Sequence, residues 1–137
     1  MERRAFRAFT ATPDAAGDAR RFVRDVVEGC AEHSPGFFEV VDPAAQLATE
    51  FVSDALAHRP DEVHVLAQCL DDRLRVEVYD THRASTLSVN TEPETQSIRM
   101  RLLDELADRW AMEDLGSGQL NWFELRLPAH ACAGPDD

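Results

Sequence analysis

Two alternating runs constrain this chain more than anything else in it. Val63, Val65 and Ala67 alternate with Glu62, His64 and Gln68, Asp71-Asp72 interrupts, and Leu74, Val76 and Val78 then alternate with Arg73, Arg75 and Glu77. A period of two sends apolar side chains to one face of a strand and polar ones to the other, so the segment reads as a β-hairpin. Helices elsewhere in the chain then have a face on which to gather.

Thr12-Pro13-Asp14 supplies a capping residue, a helix-opening proline and an early acid, and Phe22, Val23, Val26 and Val27 recur at three-to-four spacing. This predicts a helix from Asp14 to near Ala31, with a loop from Gly29 to Pro35 where the pattern dissolves. Asp42-Pro43 repeats the cap-plus-proline signal before the stripe Leu47, Phe51, Val52 and Ala55, a second helix ending near His58-Arg59-Pro60. Residues Arg4 to Thr10 suit a short edge strand. Thr81 to about Gln96 are rich in Ser, Thr, Asn, Glu and Pro and read as a long loop. A third helix follows, placed on the core by Ile98, Leu102, Leu106 and Trp110, with Leu103 and Ala107 beside them. Gly116-Ser117-Gly118 then separates Trp110 to Leu115 from Leu120 to Leu127, where Phe123, Leu125 and Leu127 alternate with Trp122, Glu124 and Arg126.

The order β-α-α-β-β-loop-α-β-β predicts an α/β (α+β) two-layer sandwich, three helices packed on one face of a mixed, largely antiparallel sheet. With 137 residues, no internal repeat and no linker, it reads as one domain over residues 1–137 with a loose tail at about 129–137. Such a chain buries roughly two-thirds of the surface its unfolded form exposes.

Composition excludes several classes. A net charge of -12 repels phosphate backbones and argues against nucleic acid, although arginines gather near the N-terminus and at Arg99 and Arg101. The acidity suits solubility, or attraction to a basic protein partner. No stretch approaches the ~20 apolar residues of a membrane span, so the cytoplasm is the expected compartment. Cys30, Cys69 and Cys132 are odd in number and widely spaced, without a CxxC pair, and read as ordinary reduced cysteines rather than a disulfide framework or zinc site.

Two features bear on chemistry. Strand parity puts Asp80 on the face of Leu74, Val76 and Val78, towards the helices, unless the strand has ended at Tyr79 and Asp80 opens the loop. Glu50, Asp54 and His58 are spaced four apart on the second helix and stack along one side. A divalent cation between the two acids would relieve their repulsion; the same spacing also describes an acidic solvated face, with His58 at the last carbonyls.

Several segments resemble one family, in its order. Ala48-Thr49-Glu50-Phe51-Val52-Ser53-Asp54-Ala55-Leu56-Ala57-His58 resembles the ELVTNAxxH helix of bacterial anti-sigma-factor serine kinases. Leu74 to Asp80 is similar to the strand that carries their adenine-binding aspartate. Leu103-Asp104-Glu105-Leu106-Ala107-Asp108-Arg109-Trp110 resembles VDALADRW, and Trp122-Phe123-Glu124-Leu125-Arg126-Leu127-Pro128 resembles WFELRLP. The resemblance covers about residues 13 to 128 and implies the GHKL-type ATPase fold of histidine kinases and gyrase.

Carried across position by position, it implies Glu50 as general base towards a protein serine, Asp54 in place of the Mg²⁺-binding Asn, and Asp80 as acceptor for the adenine amino group. Thr81 to Gln96 takes the place of the ATP lid. Asn121, in Gln119-Leu120-Asn121, stands near the position of a family Thr beside the adenine. The implied cofactors are ATP and Mg²⁺, and the implied partners a sigma factor or a STAS-domain antagonist, with a homodimer possible. The chain departs from the pattern where the family's phosphate-binding GxG becomes Ser97-Ile98-Arg99, and His82 replaces a glycine common in GHKL proteins. Side chains at Ser97 and Arg99 restrict a backbone that must close around phosphate, although Arg99 or Arg101 offers a charged contact instead. The expectation is a regulator of the anti-sigma-factor class with ATP binding weakened or lost. The alternatives are an active serine kinase acting on an antagonist protein and a sensor for another small ligand.

Overall fold

The computed structural model describes residues 2–81 and 93–128, the side chains of 93–97 excepted. Five strands and three α-helices follow one another as β1 (Arg3–Thr10), α1 (Ala15–Ala31), α2 (Val41–Ala57), β2 (Glu62–Cys69), β3 (Arg73–Asp80), α3 (Pro93–Leu106), β4 (Arg109–Asp114) and β5 (Gln119–Arg126), with a 3₁₀ segment Pro35–Val40 leading into α2. The strands form one sheet in the order β1-β2-β3-β5-β4. Every pairing is antiparallel, so the sheet is not the mixed, largely antiparallel one expected. The tail 129–137 and Cys132 lie outside the described residues.

The alternating runs land where their period requires. Val65 faces Val78, Ala67 faces Val76 and Cys69 faces Leu74, and on the next pairing Val76 faces Phe123 and Leu74 faces Leu125. These residues are buried. They form the face over which α1 and α2 pack, α1 against β1 and β2, α2 against β3 and β5. Phe51 of α2 reaches Phe123 of β5 with ring centroids 5.9 Å apart. Fully buried side chains of this size contribute roughly 1.5–3 kcal/mol each relative to exposure.

The other sheet face carries a cross-linked polar cluster around Glu124. Glu124 is only 4% exposed although its alternation with Phe123 and Leu125 puts it on the outer face. Three arginines cover it: Arg75 Nη1 donates to Glu124 Oε2 at 2.9 Å, and Arg73 and Arg109 approach Oε1 at 3.4 Å. The Arg75 guanidinium also lies 4.1 Å from the centroid of the Trp122 ring, covering an aromatic that its neighbours leave half exposed.

Three expectations need correction. Cys30 and Cys69 form a disulfide, so they are not ordinary reduced cysteines. Cys69 shares the inward face with Val63, Val65 and Ala67, and α1, lying over β2, brings Cys30 to it; neither fact can be read from spacing. The third helix begins at Pro93, inside the expected Thr81–Gln96 loop, and ends at Leu106 rather than reaching Trp110. Proline in a first helical turn lacks only an N–H the helix would leave unbonded. At the other end Asp108 N–H donates to Glu124 C=O at 2.9 Å, and Trp110 enters β4 opposite Phe123. Strand pairing here overrides a helical period. The inward face of α3 also differs: Ile98 is 67% exposed, whereas Arg99 and Leu103, four apart, are buried. Residues 82–92, most of the expected lid and with it His82, lie outside the described residues.

Candidate functional site

The inward face of β3 ends on Asp80, 2% exposed and aligned with Val63 on one side and Gln119 on the other. Parity therefore holds to the last residue of the strand. Asn121 lies on the same face, opposite Val78, and is also buried. Its Oδ1 makes no hydrogen bond among the described residues. Buried acceptors of this kind carry a desolvation cost of roughly 1–3 kcal/mol.

The row Glu50, Asp54 and His58 runs along α2, spanning about 12 Å at 1.5 Å per residue. At its C-terminal end His58 Nδ1 stands 3.9 Å from Asp80 Oδ2. The helix closes there because Arg59 takes a left-handed conformation (φ 55°), with His58 N–H donating to Ala55 C=O and Arg59 N–H to Leu56 C=O. The chain can then turn into β2.

At the other end of the row the positive charge comes from α3. Arg99 Nη1 donates to Asp54 Oδ1 at 3.0 Å, and Arg99 Nε donates to Glu50 Oε1 at 3.4 Å. Arg99 and Asp54 are 7% and 5% exposed, while the Glu50 side chain keeps 38% of its surface. One guanidinium thus bridges two carboxylates one helical turn apart, answering their repulsion with a buried, hydrogen-bonded cation. Arg99 is therefore not the solvated arginine that its place in the sequence also allowed. Arg101 is exposed. Ser97 lies within α3, its side chain outside the described part of the structure.

A Mg²⁺-triphosphate, the group implied by the resemblance, does not fit these residues well. It requires carboxylate oxygens open to the metal, yet Asp54 and Glu50 both meet Arg99. It also requires unbonded backbone N–H groups at a helix start or glycine turn. Residues 97–99 are the fifth to seventh of α3, past the four N–H groups that an α-helix leaves unpaired. Among the described residues no group of three or more His, Cys, Asp or Glu side chains is placed to hold a metal ion. Where the resemblance implies adenine, Asp80 and Asn121 are buried on one sheet face.

One participant had no assigned role in the sequence. An added Cβ at Gly118 would lie 2.1 Å from the Asp80 carbonyl oxygen and 3.0 Å from the Tyr79 hydroxyl. Only glycine permits the chain entering β5 to approach the end of β3 so closely, and this approach sets the position of Asp80. The Gly-Ser-Gly punctuation was visible as a turn; its second glycine serves the site as well.

No protein-family model matches the chain, and no curated protein matches it significantly.

Proposed function

We propose that this chain is a protein-binding regulator of the anti-sigma-factor class, acting on a sigma factor or a STAS-domain antagonist, in which ATP binding has been weakened or lost. The observation that carries the reading is Arg99 lying across Glu50 and Asp54. In the kinases that the sequence resembles, the corresponding positions, an acid and an Asn, serve the protein hydroxyl and the metal; here the carboxylates of Glu50 and Asp54 meet a side chain of the same molecule. The α+β architecture, with its helices on one face of an antiparallel sheet, is compatible with the GHKL-type fold that the resemblance implies. A net charge of -12 favours a basic protein surface over nucleic acid as partner.

The test is calorimetry of the purified chain with Mg-ATP, and separately with purified sigma factors and STAS-domain proteins from the same genome. Partner binding that is unchanged by Mg-ATP is the expected result. Tight Mg-ATP binding, together with phosphotransfer that disappears in Glu50→Ala, would instead establish the serine kinase.

A further inference from the structure

Two carboxylates one turn apart on α2, one of them buried, need a cation. Arg99 reaches them from α3 and is itself buried, its Nε at 3.4 Å from Glu50 and its Nη1 at 3.0 Å from Asp54. A guanidinium bridging two carboxylates and a divalent cation bridging them answer the same electrostatic demand, and they exclude one another. Arginine supplies a single, permanent charge that cannot dissociate. A hard divalent cation supplies two, takes oxygen ligands, and fills its remaining positions with water.

We propose that Arg99 is a built-in counter-ion occupying a latent divalent-cation site formed by Glu50 and Asp54. The wild-type chain is thereby indifferent to such cations, and removal of this one guanidinium opens the site. The inference deepens the reading above, since it rests on the same contact, and it explains why one arginine suffices to detach the α2 acids from metal chemistry. It also assigns Arg99 a mechanical role: the ion pair fixes α3 to α2 in the absence of any ligand.

The experiment titrates Mn²⁺ alone into wild type, Arg99→Met and Arg99→Met/Asp54→Asn, reading free Mn²⁺ by electron paramagnetic resonance and stability by thermal unfolding. Methionine keeps much of the buried aliphatic stem and removes the charge. Wild type should bind no Mn²⁺ at this site, Arg99→Met should bind one ion per chain and unfold at higher temperature with it, and the double variant should lose both effects. Should Arg99→Met be unfolded alone, recovery of its circular dichroism on adding Mn²⁺ is the same result. Arg99→Gln serves as a second variant, and failure of both to respond overturns the inference. Equal Mn²⁺ affinity in wild type and Arg99→Met, or binding that survives Asp54→Asn, overturns it too. These outcomes are independent of the Mg-ATP titration of the wild-type chain, so the inference and the proposed function fail separately.

Discussion

Arg99 Nη1 and Asp54 Oδ1 lie 3.0 Å apart across 45 residues of sequence, with both side chains withdrawn from solvent. Removing one partner of such a pair strands the other as a buried charge, which typically costs ~3–5 kcal/mol. Glu50 remains beside Arg99, so Asp54→Ala should sit near the low end, about 3 kcal/mol. Urea unfolding of Asp54→Ala, Arg99→Ala and the double variant forms a cycle. The double variant should lose clearly less than the two single losses together; strict additivity would mean that the pair contributes no coupling.

Cys30 lies in the last turn of α1 on its buried face, and Cys69 is the last residue of β2, 39 positions later. Closing a loop of that length removes denatured-state entropy worth about 4 kcal/mol in the chain-entropy model. Cys30→Ser/Cys69→Ser should therefore lower stability by roughly 3–4 kcal/mol, and reduction of the wild type should do the same. Thiol titration of the unfolded, unreduced protein gives the direct check. With two of the chain's three cysteines paired, at most one thiol should react; three would remove the disulfide.

What could be read from the sequence followed from local periods. The two runs of the β2-β3 hairpin and the span of α1 depend on residues close in sequence, and each was legible; parity gave the face of Asp80 but not whether the strand reaches it. Arg99, Cys30 and Glu124 were not, because their roles are set by docking: α3 on α2, α1 on β2, and three arginines converging on one carboxylate. Trp110 shows the converse. Its spacing from Leu106 continues a helical stripe, yet pairing with Phe123 draws it into β4. A local period states which faces an element can offer, and the partner decides which is used.

Glu124 carries the outer sheet face. Burial alone would lower the Arg75 guanidinium, but hydrogen bonds to Glu77 and Glu124 hold it above its ordinary value. Arg73 is raised chiefly by its hydrogen bond to Asp72, with Glu124 adding to it. A raised folded-state value contributes stability that is present below the unfolded value and lost only as pH rises through the folded one. For arginine that window lies beyond any working pH, so these partners stay charged. Glu124→Gln should consequently leave clustered cations facing one another and cost roughly 1–2 kcal/mol. High salt should recover part of the loss by screening that repulsion. A loss that is independent of salt would point to packing alone.

Gly118 and Gly116 stand two residues apart in the β4-β5 turn and should respond differently to alanine. Gly116 has φ +83°, and an added Cβ there would meet nothing within 4 Å. Gly116→Ala should therefore cost about 1 kcal/mol of left-handed backbone strain and leave the site undisturbed. At Gly118 an added Cβ falls 2.1 Å from the backbone oxygen of Asp80, a contact that no side-chain rotation relieves. Either β5 or the end of β3 must move, at a cost of roughly 1–3 kcal/mol. Because Asp80 Oδ2 stands 3.9 Å from His58 Nδ1, a shift of β3 should register on the His58 ring. Proton and nitrogen NMR of the histidines should show the His58 resonances displaced in Gly118→Ala and unchanged in Gly116→Ala. If both variants leave His58 untouched while Gly118→Ala is destabilised, the close approach matters only to the turn, and Gly118 has no part in placing Asp80.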